Sequence, residues 1–143
     1  MKKLVFLFIA SIFLMGNCSK KNIRVVDSTY EDGQPKIVYF YKKLNGDREK
    51  VKRVEYHQNG QVKMEGHYKN GERNGSWTSY YKNGNVWSKA TYKNGKANGV
   101  KKVFYENGDI YYQGRLENGE RTGKWTFYDK EGKTTVIDYD KRR

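Results

Sequence analysis

A turn signal that returns every 24 residues limits this chain more than any other feature. Asn-Gly stands at Asn59-Gly60, Asn83-Gly84 and Asn107-Gly108, and Glu131-Gly132 closes that series. A second series, Asn70-Gly71, Asn94-Gly95 and Asn118-Gly119, runs between them, and Gly75, Gly99 and Gly123 form a third. Asn and Gly reach positive φ at least cost, which is what a tight antiparallel turn demands. Two such signals per period leave room for two short strands, so each period encodes a hairpin. A lone hairpin is marginal in water, whereas hairpins laid side by side bury one another's apolar face. The expected fold is all-β, a solenoid or extended antiparallel sheet built from 24-residue β-hairpin repeats.

The strand between the two turns alternates. Val62, Met64, Gly66 and Tyr68 share one side, and Gln61, Lys63, Glu65 and His67 share the other, which predicts one buried and one wet face. The next copies give Val86, Ser88, Ala90 and Tyr92, then Ile110, Tyr112, Gly114 and Leu116. Nothing larger than a methyl occupies the column Gly66, Ala90, Gly114, so an aromatic ring or neighbouring backbone is expected over it. Candidate rings lie in the second strand, where Tyr80, Phe104 and Tyr128 form one column and Trp77 and Trp125 another, broken by Lys101. The two columns stand three residues apart, which one face of a flat strand cannot hold, and a bulge or sharp twist between them is expected. Gly71, Gly95 and Gly119 are predicted at positive φ, with Gly75 and Gly99 where the chain enters the next strand. Residues 29–56 read as a degenerate first unit and cap, 57–132 as the regular repeats, and 133–143 as a closing strand with a basic tail.

The unit "YKNGERNGSWTSYYKNG" resembles the MORN-variant repeat of bacterial proteins. That pattern falls on Tyr68, Gly71, Gly75, Trp77, Tyr80 and Gly84. It falls again on Tyr92, Gly95, Gly99, Phe104 and Gly108 with Lys101 at an aromatic place, and on Gly119, Gly123, Trp125 and Tyr128 with Leu116 at the first tyrosine. The resemblance implies a hairpin-repeat fold, and by analogy membrane association, protein scaffolding or the antitoxin role many such proteins are assigned.

Residues 1–17 read as an export signal, with Lys2 and Lys3 ahead of an apolar run, Leu4 to Met15, that is short for a membrane span. The run ends at the chain's one cysteine, Cys18, and "LMGNC" resembles a lipobox with Asn17 where a smaller residue is usual. Cys18 is therefore expected to carry a lipid, with 18–28 as lipidated residue and polar tether. Simple secretion and an uncleaved anchor are the other readings. This places the protein at a bacterial cell envelope. Loss of 1–17 lowers the net charge from +13 to +11, which favours acidic partners.

Catalysis by a nucleophile or general base needs a polar group oriented by partners, and the chain offers only His57 and His67. Glu72, Glu117 and Glu120 fall at turns among basic residues. No catalytic residue, metal site or cofactor is expected. Binding is left. Lys63, His67, Lys69, Lys82, Lys89 and Lys93 form a candidate basic ladder, and Tyr81, Tyr105 and Tyr111 would suit sugar or base stacking, or second-face packing. The plainer alternative is that the lysines keep strands soluble and guard edges. The expected role is a non-catalytic, envelope-anchored interaction or scaffold module for an unidentified envelope protein. The alternatives are a binder of anionic lipid or polysaccharide, and an antitoxin-like inhibitor. Nucleic acid is not expected as a partner of an exported chain.

Overall fold

The computed structural model describes residues 22–142. The export signal, Cys18 and the start of the tether lie outside them. Ten strands follow in order: β1 (Ile23–Thr29), β2 (Pro35–Leu44), β3 (Asp47–Tyr56), β4 (Val62–Lys69), β5 (Glu72–Tyr80), β6 (Val86–Lys93), β7 (Lys96–Phe104), β8 (Ile110–Glu117), β9 (Glu120–Tyr128) and β10 (Thr134–Asp138). A short 3-10 turn, Asp140–Arg142, closes the described chain. All ten strands form one antiparallel sheet in strict chain order, so the hairpins extend a sheet and do not wind into a solenoid. One expectation is corrected at the start of this sheet. Much of the presumed tether is strand, because Ile23 and Val25 pair with Tyr41 and Tyr39 and are half-buried there. A register shift between Val26 and Ser28 hides the alternation in the sequence.

The two Asn-Gly series build different turns, which gives the sheet two unlike rims. Asn45-Gly46, Asn70-Gly71, Asn94-Gly95 and Asn118-Gly119 have positive φ at both residues, for example 49° and 77° at Asn94 and Gly95, and are two-residue turns of the mirror-image type I geometry. The other series closes five-residue loops: Tyr30–Gln34, His57–Gln61, Tyr81–Asn85, Tyr105–Asp109 and Asp129–Lys133. In these only the glycine has positive φ. The Asn59, Asn83 and Asn107 side chains instead accept a hydrogen bond from the backbone N–H two residues on, as Asx turns do.

On one face, Trp77 and Trp125 are buried and lie flat over the preceding strand. A β-carbon at Gly66 would fall inside the Trp77 indole, and one at Gly114 inside that of Trp125. The ring expected over the small-residue column is thus present. Each indole N–H donates to a carbonyl of the strand beneath, His67 O and Arg115 O, both at 3.1 Å. Arg73 and Arg121 cover the outer faces at 4.3 and 4.5 Å from the ring centroids. In the middle hairpin the whole stack changes together, with Ala90 for Gly, Lys101 for Trp and Ala97 for Arg.

A bulge does fall between Trp77 and Tyr80, but its extra residue is in the neighbouring strand: Ser79 pairs with Ser88 and Tyr80 with Val86, which leaves Trp87 of β6 unpaired. A second shift, against β4, precedes the tryptophan and spans Gly75 and Ser76 of β5, and Trp77 and Tyr80 project from opposite faces. Tyr80 donates to Glu65 at 3.0 Å, on the face away from Trp77. Gly75, Gly99 and Gly123 accordingly sit inside β5, β7 and β9 at positive φ, and not at the strand entrances.

Candidate functional site

The wide-loop rim repeats one tie between successive hairpins. Tyr30 donates to Tyr56 O, Tyr81 to Phe104 O and Tyr105 to Tyr128 O, at 2.8, 2.7 and 2.9 Å. His57 takes the same place with Nε2 at 3.0 Å from Tyr80 O. A carbonyl only accepts, so Nε2 carries the hydrogen and neutral His57 presents Nδ1 as its acceptor. Each ring therefore reaches across a hairpin and is fixed at both ends. Burial, then the Glu106 charge, raises the Tyr81 phenol above its ordinary value.

Between these rings open two clefts. The first, about 440 Å³, is lined by His57 and Tyr81 with Trp87, Lys63, Glu55 and Lys82 around them. Trp87 is 49% exposed, and its centroid is 6.5 Å from that of Tyr81. Glu55 is the buried charged residue among those described; its Oε1 meets Lys63 and its Oε2 meets Arg53, both at 2.7 Å. Burial pushes the Glu55 carboxyl up, but Lys63, Arg53 and Lys36 outweigh it and hold the pKa below the ordinary value. The second cleft, about 480 Å³, has Tyr81 and Tyr105 as walls and carries Glu106, Asp109 and Asp129 against Lys130. Tyr111, one period after Trp87, is 43% exposed and lies 4.8 Å from Tyr105.

The basic ladder is not one row. Lys63 is paired to Glu55 and faces the first cleft. His67 is exposed opposite Lys52, Lys69 and Lys93 flank tight turns, and Lys82 lies on the wide-loop rim. Lys63 and Lys89 are not repeat equivalents, since Lys63 shares its column with Trp87 and Tyr111 and Lys89 shares its own with Glu65 and Gln113. The structure instead groups lysines on the β6–β7 hairpin. From Val86 to Phe104 there are five lysines and no carboxylate. Lys89 is in register with Lys102, and Lys93 with Lys96. Among the described residues none of the five joins an ion pair. In the flanking copy, Glu65 is salt-bridged to Lys52, which with the Tyr80 hydroxyl outweighs burial and holds the Glu65 carboxyl low.

Tyr81 and Tyr105 were legible as candidate rings, whereas Trp87, Glu55, His57 and Lys102 were not singled out as site residues. The signal for Trp87 was its place in a column with Lys63 and Tyr111, where no core residue recurs. Among the described residues no three His, Cys, Asp or Glu side chains converge as metal ligands do.

Three consecutive segments, residues 51–70, 73–94 and 97–118, match the MORN repeat variant family. No curated protein matches the chain. Among solved structures, TarM is similar over 81% of this chain and 21% of its own, at 16% identity and a TM-score of 0.47. A DUF3836 family protein from Parabacteroides distasonis is similar over 85% of this chain and 93% of its own, at 15% identity and a TM-score of 0.24. The chain thus spans about a fifth of TarM, and likenesses of this order carry no argument about function.

Proposed function

We propose that this chain, a MORN-variant repeat protein over residues 51–118, is a non-catalytic interaction module held at a bacterial cell envelope by a lipid on Cys18, where it engages an acidic protein partner. The observation that carries this reading is the β6–β7 hairpin. Like charges set directly opposite one another in a sheet destabilise it. Two such lysine pairs in one hairpin, Lys89 with Lys102 and Lys93 with Lys96, add a repulsion that no carboxylate of that hairpin offsets, whereas the flanking hairpins contain both acids and bases, although Glu117 also faces Glu120 at the turn of β8–β9. A partner bearing carboxylates would relieve it, and the field of the chain would steer that partner in.

The histidines support a non-catalytic role. His57 is spent on a backbone tie and His67 faces solvent beside Lys52. The antitoxin-like alternative gains no observation of its own.

The test is the paired change Lys89→Gln with Lys102→Gln, set against Lys141→Gln in the closing turn. The hairpin pair should raise folding stability by roughly 0.2–1 kcal/mol by removing repulsion, while weakening salt-dependent capture of acidic proteins from envelope extract. Equal weakening by Lys141→Gln would reduce the effect to bulk charge, and unaltered capture would refute the role of the hairpin. For the anchor, mass spectrometry of protein from its own host should find an acylated Cys18 as first residue; an unmodified chain starting later would refute it.

A further inference from the structure

We infer that the wide-loop rim is a binding site for a neutral oligosaccharide, with Trp87 and Tyr111 as successive stacking platforms. This surface is separate from the β6–β7 lysine pairs and stands or falls independently of the acidic-partner reading.

Three properties of the rim select the ligand class. First, the platforms are exposed yet rigid. Trp87 and Tyr111 are 49% and 43% exposed, but Trp87 leans on Tyr81 and Tyr111 on Tyr105 and Tyr112. Tyr81 and Tyr105 are themselves tied to the next hairpin through their hydroxyls. An exposed ring held in this way loses little freedom when something stacks on it. Its electron-rich face attracts weakly positive C–H edges, such as those on the flat side of a pyranose.

Second, the first cleft, though apolar over most of its lining, holds the Lys63–Glu55 ion pair beside Trp87. Lys63 keeps donors beyond the one given to Glu55, with its side chain 49% exposed. An apolar peptide laid over Trp87 would strip water from that ion pair without replacing it, which is costly. A sugar satisfies both halves of the cleft, placing its C–H face on the indole and its hydroxyls on Lys63, Glu55 and His57 Nδ1.

Third, the charge changes along the row. The neighbouring cleft, sharing Tyr81 as a wall, carries Glu106, Asp109 and Asp129 against Lys130. Phosphate-bearing polymers, nucleic acid included, would be repelled there, whereas hydroxyls can donate to all three carboxylates. The two platforms are one hairpin apart, about 9.6 Å for two inter-strand steps, so a linear chain of sugars can engage both.

The experiment is calorimetric titration of the full-length chain, held in a detergent without a sugar headgroup, with chitotetraose, cellotetraose, maltotetraose and mannotetraose. Dextran sulfate serves as the polyanion. At least one neutral tetrasaccharide should bind saturably. Trp87→Ala should weaken it about tenfold or more, the loss of one stacked ring, and Trp87→Leu should do the same while keeping apolar volume. Tyr111→Ala should weaken the tetrasaccharide but leave the corresponding disaccharide unchanged. Lys89→Gln with Lys102→Gln should leave sugar binding intact. Failure of all four neutral oligomers to bind overturns the inference, as does unaltered binding by Trp87→Leu. Saturable binding of dextran sulfate alone would also overturn it and point to the lysine surface instead.

Discussion

Gly66→Ala adds one methyl to a strand, where alanine ordinarily gains about 0.5–1 kcal/mol over glycine. Here the expected sign is reversed. The new carbon falls inside the Trp77 indole, and the backbone beneath is paired on both sides, to Arg53 and to Trp77 itself. The ring therefore has to lift. Lifting it weakens the N–H bond to His67 O, the Arg73 stack, and the edge contacts with Tyr68 and Tyr92 at centroid distances of 5.4 and 5.9 Å. Overpacking sets a floor of about 1–3 kcal/mol, and complete loss of a buried aromatic sets a ceiling of about 3–5 kcal/mol. After the alanine gain is subtracted, a net loss of about 2–3 kcal/mol is expected. Urea unfolding followed by tryptophan fluorescence would read it as a lower midpoint at unchanged slope. The control is already written into the chain, where Ala90 sits in the hairpin whose ring position is Lys101. Gly66→Ala combined with Trp77→Lys should therefore be no less stable than Trp77→Lys alone. A single Gly66→Ala variant within about 0.5 kcal/mol of the parent, the scatter of ordinary surface changes, would refute the argument. So would an equal penalty in the Trp77→Lys background.

Gly95→Val should cost on the order of 1–3 kcal/mol, because a β-branched residue is strained at φ 77°; unchanged melting would exclude that turn geometry. Tyr81→Phe should lose about 1 kcal/mol through the bond to Phe104 O, and should raise hydrogen exchange at the β5–β6 loop ahead of the rest. Glu55 is held below its ordinary value of 4.5, so the folded state binds fewer protons than the unfolded state. Its contribution is present above that pH and is lost as pH falls through the lower folded pKa. Glu55→Gln should be less stable near neutrality, with a flatter acid limb in a melting series; a parallel limb would show that Glu55 does not govern it.

The 24-residue period, the hairpins and the ring over the small-residue column were legible because each rests on local rules, namely turn backbone and alternation. The difference between the two turn types was also written, though less openly. Glu131 occupies the Asn place in the wide-loop series, and a glutamate is a poor residue for positive φ, so that place does not require it. The opposite directions of Trp77 and Tyr80 follow from plain alternation along β5, and the bulge expected between them is present with its extra residue, Trp87, in β6, a placement that only the cross-strand register reveals. The tyrosine ties were hidden because their acceptors are backbone carbonyls 23 or 26 residues away, which side-chain identity does not mark. The lysine grouping on β6–β7 depends on cross-strand register, and register shifts in β7 and β8 defeat simple counting.

Strand β1 starts near the tight-turn rim, with Ile23 opposite Tyr41, and runs toward the first wide loop. With a lipid on Cys18, as proposed, the five steps to Ile23 reach at most about 18 Å at full stretch. The β1 end of the tight-turn rim would then be moored close to the bilayer. With the strands upright, the tight turns bearing Lys69, Lys93 and Lys96 would point toward the headgroups, and the rings of Trp87 and Tyr111 would stand roughly one strand length farther out, about 27 Å for eight residues, where long polymers pass.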